Sequence, residues 1–169
     1  MIDFVAVAQQ CAPSVHVKTL SALVKQESGY NPYAIGVVGK GLRLARQPRS
    51  KDEALATARQ LIASGRGFSV GIAQVFWKNL PKYGLTLETA FDVCPNLRAG
   101  AAILVECHDR AKGRFSDEQT RIRAALSCYY SGNFMTGHKE GYVRSVAAKS
   151  EHAVGTIRYV GQPLQAAVR

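Results

Sequence analysis

A mainly α domain of several unequal helices is what this sequence predicts, and three observations predict it. Apolar residues recur at helical spacing in four separate segments, Ser-x-x-Glu/Gln capping boxes stand before two of them, and glycines close the runs. No repeat, low-complexity stretch or long Pro/Gly/Ser linker divides the 169 residues, so one domain is expected, with a core that needs neither metal nor disulfide to form.

Taken in order, Val17, Leu20, Leu23 and Val24 mark the buried face of a helix over 17–28, which Gly29 stops and Pro32 confirms. Ile35, Val37 and Val38, then Leu42 and Leu44, flank Gly39-Lys40-Gly41, which predicts a short two-stranded hairpin. Ser50-Lys-Asp-Glu53 is a capping box, in which Ser and Glu satisfy each other's backbone donors, and Leu55, Ala58, Leu61 and Ile62 continue its helix to Gly65. Asp92-Val-Cys-Pro-Asn96 opens another helix, with Pro95 in its first turn, an inner stripe of Leu97, Ala101, Leu104 and His108, and Gly113 as its stop. Ser116-Asp-Glu-Gln119 is the second capping box, followed by Ile122, Ala125, Leu126 and Tyr129 on one face up to Ser131-Gly132. A last helix is expected near 139–149. The domain is therefore drawn as 1–150, with 151–169, containing Gly155, Gly161 and Pro163, as a weakly specified tail.

The chain is 47% hydrophobic and 20% charged, a globular composition. Its apolar runs fall far short of the roughly 20 residues needed to cross a bilayer, so no membrane span is expected. The first ten residues lack the basic start and long apolar core of a secretory signal, which leaves the export route open. Twenty-two Lys and Arg against 12 Asp and Glu give a net charge of +10, which points to a polyanionic partner without naming it. No basic-aromatic or helix-turn-helix pattern supports nucleic acid beyond that charge. Cys11, Cys94, Cys107 and Cys128 have no metal-site spacing, so neither a metal nor a cofactor is expected; disulfides and reduced core cysteines both fit. The histidines show no i, i+4 pair, and Ser131 lacks a nucleophile-elbow pattern.

Glu27 is the residue out of place. It follows Leu20, Leu23 and Val24 at helical intervals, on the face that should be buried. Burial disfavours the ionised form, and the negative end of the helix dipole acts in the same direction, so its pKa should rise. A carboxyl protonated near neutral pH is what a general acid needs when a glycosidic oxygen must receive a proton. The competing reading is a last-turn Glu that reaches water or pairs with a Lys or Arg.

Around it, Glu27-Ser-Gly-Tyr-Asn-Pro-Tyr-Ala34 resembles the active-site segment of the soluble lytic transglycosylase family. Four more blocks follow in that family's order: Gly71-Ile-Ala-Gln74; Asp92, Asn96, Leu97, Gly100 and Leu104; Cys128-Tyr-Tyr-Ser-Gly132; and Tyr142-Val143. Five blocks in register over about residues 16–146 are specific where one would be weak. The run Tyr33–Gly39, Arg46-Gln-Pro-Arg49 and Cys128–Asn133 look like the members that accompany type IV secretion systems.

The resemblance implies a lysozyme-like α domain with a substrate cleft, acting in the periplasm on the glycan strands of peptidoglycan, with other type IV secretion components as partners. It implies Glu27 as the single catalytic residue: an acid toward the glycosidic oxygen, then a base toward the sugar's own C6 hydroxyl, leaving an anhydro-muramic end. Tyr129 would orient Glu27 or bond substrate, and Gln74 would offer donor and acceptor to an N-acetyl sugar. Tyr130 could stack on a sugar ring, and Asn31 joins the substrate contacts although Asn-Pro also favours a turn. Where the family often has a Ser, nine residues after the Glu, this chain has Gly36, with Ser69 as the possible substitute. Asp52 and Glu53 lie where a goose-type lysozyme would have an acidic helper, but helix capping explains them better. A hydrolytic lysozyme and a non-catalytic glycan-binding adaptor are the alternatives.

Overall fold

A computed structural model describes residues 2–152 and 154–157. Its helices are α1 (Phe4–Cys11), α2 (Val17–Glu27), α3 (Lys51–Ala63), α4 (Val93–Lys112), α5 (Glu118–Ser131), α6 (Thr136–Lys139) and α7 (Tyr142–Ser150). Strands β2 (Ile35–Val37), β3 (Phe68–Val70) and β4 (Val75–Phe76) form one antiparallel sheet, while β1 (Ile2–Asp3) pairs with β5 (Thr156–Ile157). Short 3-10 turns, Trp77–Asn79, Pro81–Tyr83 and Thr89–Phe91, lead from the sheet to α4. Mainly helical with a small three-stranded sheet and one two-stranded pair, this is the arrangement expected of a lysozyme-like domain.

The expected hairpin is corrected. The chain does turn after Gly39, where the Leu42 N–H donates to the Gly39 carbonyl at 3.1 Å, but Leu42 and Leu44 form no strand. β2 instead takes the distant β3 as its partner, with Ile35 opposite Val70 and Val37 opposite Phe68. Leu42 is 43% exposed whereas Phe68 and Val70 are fully buried, so the long-range pairing wins because it gives the strands a shared apolar face. The outer edge of β2 is closed by a side chain: Gln47 accepts from the Ile35 N–H at 2.8 Å and donates to the Ile35 carbonyl at 2.9 Å.

Helix starts follow local capping with two adjustments. Ser50 caps α3, accepting from the Glu53 N–H at 3.2 Å, but the Glu53 carboxylate reaches back to the Arg49 N–H at 2.8 Å and to Arg46, so the box is not reciprocal. α5 is capped by Asp117 rather than Ser116; its carboxylate accepts from the Gln119 and Thr120 N–H groups, each at 3.0 Å, and a full negative charge suits the positive helix start. α1, not expected from the sequence, starts on Asp3 and buries Phe4, Val7, Ala8 and Cys11. Thr156–Ile157 forms a strand within the segment expected to be a weak tail; Gly161 and Pro163 lie outside the described residues.

Two apolar clusters meet at α4. Leu97, Ala101, Leu104, Cys107 and Ala111 face α1, α2, α5 and α7, while Ala99 and Ile103 face the sheet and α3. Each fully buried Leu in such clusters contributes about 1.5–3 kcal/mol. Two disulfides anchor the central helix, Cys11–Cys94 to α1 and Cys107–Cys128 to α5, which settles the question left open by composition.

One buried polar group positions the turn between β3 and β4. The Asn96 amide donates to the Val70 carbonyl at 2.9 Å and the Ala90 carbonyl at 2.8 Å, and its oxygen accepts from the Ala73 N–H at 2.8 Å. Gly71 lies beneath it with φ of +83°, where a Cβ would stand 2.3 Å from Asn96 Nδ2. Replacing Asn96 by Ala strands three backbone groups, and urea unfolding of Asn96→Ala is expected to show a loss of about 2–4 kcal/mol. A loss under about 0.5 kcal/mol, the range of ordinary surface substitutions, would show that this bracket is dispensable.

Candidate active site

Between the helical side and the sheet runs a cleft of about 690 Å³. α2 contributes Glu27 and α5 contributes Tyr129 and Tyr130; Gly36, Val37, Ser69, Gln74 and Phe76 come from the sheet and its turn. Along α4, Ile103, Glu106, Cys107 and Arg110 face it at helical spacing.

Glu27 is the last residue of α2, and the packing that buries Leu20, Leu23 and Val24 carries it inward. Burial pushes its carboxyl up to about 7, opposed by a hydrogen bond that the Tyr142 hydroxyl donates to Oε1. Tyr142 itself is buried, and burial together with the neighbouring Glu27 charge holds its phenol protonated, able to donate throughout the neutral range. It opens α7 and stacks on Tyr130 with ring centres 4.6 Å apart; Tyr130 in turn donates to Glu140 at 2.6 Å. A second tie between the same helices runs from Ser145 to Gln26 at 2.6 Å. Ser28 continues the frame on the other side, its hydroxyl donating to the Ile72 carbonyl at 2.7 Å.

The sheet side is set by backbone as much as by side chains. Gln74 has φ of +53°, uncommon for a residue with a side chain, and its amide donates to the Ala34 and Gly71 carbonyls at 2.9 and 3.0 Å. Its donors are therefore spent, and Oε1 is what it presents to the cleft. A Cβ on Gly36 would lie 2.6 Å from that oxygen, so Gln74 fills the space that a serine at this position would need. Ser69 stands opposite Gly36 in the β2–β3 register and also lines the cleft.

Of the residues singled out from sequence, Glu27, Ser69, Gln74, Tyr129 and Tyr130 come together on this one cleft. Asn31 does not line it; its side chain accepts from the Tyr33 N–H at 2.9 Å and forms the turn after α2. Tyr129 lines it, but its hydroxyl donates to the Ala73 carbonyl at 2.5 Å instead of to Glu27. Asp52 and Glu53 are outside the cleft. Two residues escaped the sequence reading, the partner of Glu27 behind the cleft wall and a carboxylate that lines the cleft. Tyr142 was visible only as half of a Tyr-Val motif with no role attached. Glu106 sits on the α4 face opposite the apolar stripe, where the Lys82 ammonium at 2.7 Å and the Tyr83 hydroxyl at 3.2 Å hold its carboxyl below the usual range. The cleft thus holds one carboxyl disposed to keep its proton near neutrality and one held ionised.

Residues 4–152 match the family described as Transglycosylase SLT domain. Type IV secretion system protein virB1 of Brucella suis biovar 1 (strain 1330) is 52% identical over 157 residues, which cover 89% of this chain and 65% of that one. Protein virB1 of Agrobacterium tumefaciens (strain 15955) is 36% identical over 153 residues, covering 90% of this chain and 62% of its own. The chain therefore spans slightly under two thirds of the length of these relatives. No solved structure matches it.

Carbon-detected NMR titration of the Glu27 carboxyl is expected to give a midpoint near 7, moving to higher pH in Tyr142→Phe because the hydrogen bond to the charged form is lost. Since the folded chain binds this proton more tightly than the unfolded chain, Glu27's share of the stability is full at acid pH and is lost as pH rises from about 4.5 to about 7. A midpoint in the ordinary carboxylate range would contradict both.

Proposed function

Because this chain belongs to the Transglycosylase SLT domain family, we propose that it is a lytic transglycosylase that cleaves the glycan strands of peptidoglycan, with Glu27 as its single catalytic acid and base. The observation that carries this reading is the protonatable Glu27 carboxyl in the wall of a cleft whose other carboxylate, Glu106, is already occupied by Lys82 and Tyr83.

In the reaction, protonated Glu27 gives its proton to the oxygen joining N-acetylmuramic acid to N-acetylglucosamine, and the bond from that oxygen to C1 of the muramic residue breaks. The Glu27 carboxylate then takes the proton of the muramic C6 hydroxyl, whose oxygen bonds to C1. The carboxyl is restored and the product carries a 1,6-anhydro end. No water enters the product, so no second carboxylate is needed to activate one. Tyr142 donates to Glu27 in its charged state and steadies it between the two steps. Gln74 Oε1 accepts from a substrate N–H or O–H group, Ser69 takes the place of the serine missing at Gly36, and the exposed ring of Tyr130 offers a stacking face. Tyr129 acts one step back, fixing the Ala73 carbonyl and so the turn that carries Gln74.

The site of action is the bacterial periplasm, and the relatives named as type IV secretion system proteins support a role in opening the wall locally for such an apparatus. The positive charge fits an acidic wall. In the segment that leads from β2 into α3, Arg46 and Lys51 are engaged by Glu53 and Asp92, while Lys40 and Arg43 form no ion pair among the described residues.

Mass spectrometry of digested peptidoglycan tests the chemistry. Wild type is expected to release anhydro-muramic ends, with activity falling as pH rises through about 7, and Glu27→Gln to lower the rate by at least about 100-fold. Reducing ends would identify a hydrolytic lysozyme; binding without any cleavage would identify a glycan-binding adaptor.

A further inference from the structure

The glycan backbone of peptidoglycan is uncharged apart from what hangs on its muramic residues, yet the cleft is not neutral. Its charged lining residues are Glu27, Lys82, Glu106 and Arg110. Glu106 and Arg110 stand four residues apart on α4, the spacing at which a carboxylate and a guanidinium normally pair. They do not pair here, because Glu106 is drawn to Lys82 at 2.7 Å and Tyr83 at 3.2 Å. Lys82 and Glu106 thus cancel each other. Among the described residues Arg110 forms no ion pair, and it remains the cleft's uncompensated cation.

Arg110 is also held in place. Its guanidinium lies over the Phe134 ring at 5.4 Å from the centroid, donates to the Gly132 carbonyl at 3.3 Å, and approaches Cys128 Sγ at 3.2 Å. Those contacts fix the plane of the group without supplying a negative charge, and a guanidinium retains further N–H donors beyond the two they use. A planar, oriented and unneutralised fork is suited to a carboxylate, which it can meet with two parallel hydrogen bonds.

We propose that Arg110 is a carboxylate-binding subsite that grips the stem peptide of the glycan strand, so that the protein prefers peptide-bearing strands to stripped ones. The proposal rests on the peptidoglycan reading above and adds to it the part of the substrate that selects the cut. In a peptide-bearing strand the muramic lactyl carboxyl is tied up in the amide to the stem peptide, so the stem peptide is the source of carboxylates attached to a muramic residue lying in the cleft.

Binding tests this apart from catalysis. Fluorescently labelled glycan strands, either carrying stem peptides or stripped of them by an amidase with the lactyl carboxyl so exposed then capped as its methylamide, are titrated against Glu27→Gln protein and against the same protein with Arg110→Gln. The peptide-bearing strands are expected to bind about tenfold more tightly than stripped ones, as one charged hydrogen-bonding contact allows, and Arg110→Gln to remove most of that ratio. For the Arg110-containing protein the ratio should also shrink as salt is raised, a readout that needs no change at Arg110. Equal binding of the two strands, a ratio insensitive to salt, or an Arg110→Gln change that weakens both strands alike would each overturn the subsite. If the preference holds while wild type cleaves neither strand, only the transglycosylase reading falls.

Discussion

The Asn96 side chain is the point from which the cleft is built. Its amide is fully buried and bonds both ends of the β3–β4 turn, through Val70 and Ala73, as well as Ala90 in the 3-10 turn before α4. Buried amides are costly unless satisfied and rigid when they are, so this one fixes the turn against α4 far more firmly than apolar contact would. Everything on the sheet side inherits that position. Gly71 must be glycine to lie under the amide, Gly100 leaves Ala73 room where a Cβ would stand 2.5 Å from it, and Tyr129 closes the same turn from α5 through the Ala73 carbonyl. Gln74, with its strained backbone, stands at the end of this chain of constraints.

The helical side is organised around a different tension. Bringing a carboxyl to the end of an apolar stripe costs solvation, and the Tyr142 hydroxyl recovers only part of it, which is why the proton stays on to about neutrality. The two sides meet through Ser28, next to Glu27, whose hydroxyl bonds the carbonyl of Ile72 in the turn that Asn96 fixes. Glu27 and the turn that carries Gln74 are therefore linked by short, direct bonds, the condition for a preorganised site.

What could be read from the sequence divides along chain distance. The α2, α3, α4 and α5 helices announce themselves because the 3.6-residue period, caps and stops are local, and Glu27 stands out because it breaks such a pattern. α1 carried the same signal in Phe4, Val7, Ala8 and Cys11, without being read from it. The β2–β3 pairing was hidden because its partners lie on either side of an entire helix, and a nearer glycine turn offered a plausible decoy. Tyr142 was hidden as a partner of Glu27 because 115 residues separate them and no periodicity spans such a gap. For Gln74 and Tyr129 the residue was legible but not its bonding: which groups face the cleft depended on a left-handed backbone at one and a single carbonyl near the other.

Gln47, holding the outer edge of β2, has a consequence for how the protein avoids pairing with other chains. An open strand edge beside a cleft invites a second chain to add itself as a further strand, and here a side-chain amide occupies the pairing positions of Ile35. This edge of the sheet is sealed by one residue instead of by another strand. The segment between Val38 and Arg46 is thereby relieved of any duty to the sheet, and a change in its length or charge would leave the strand edge covered.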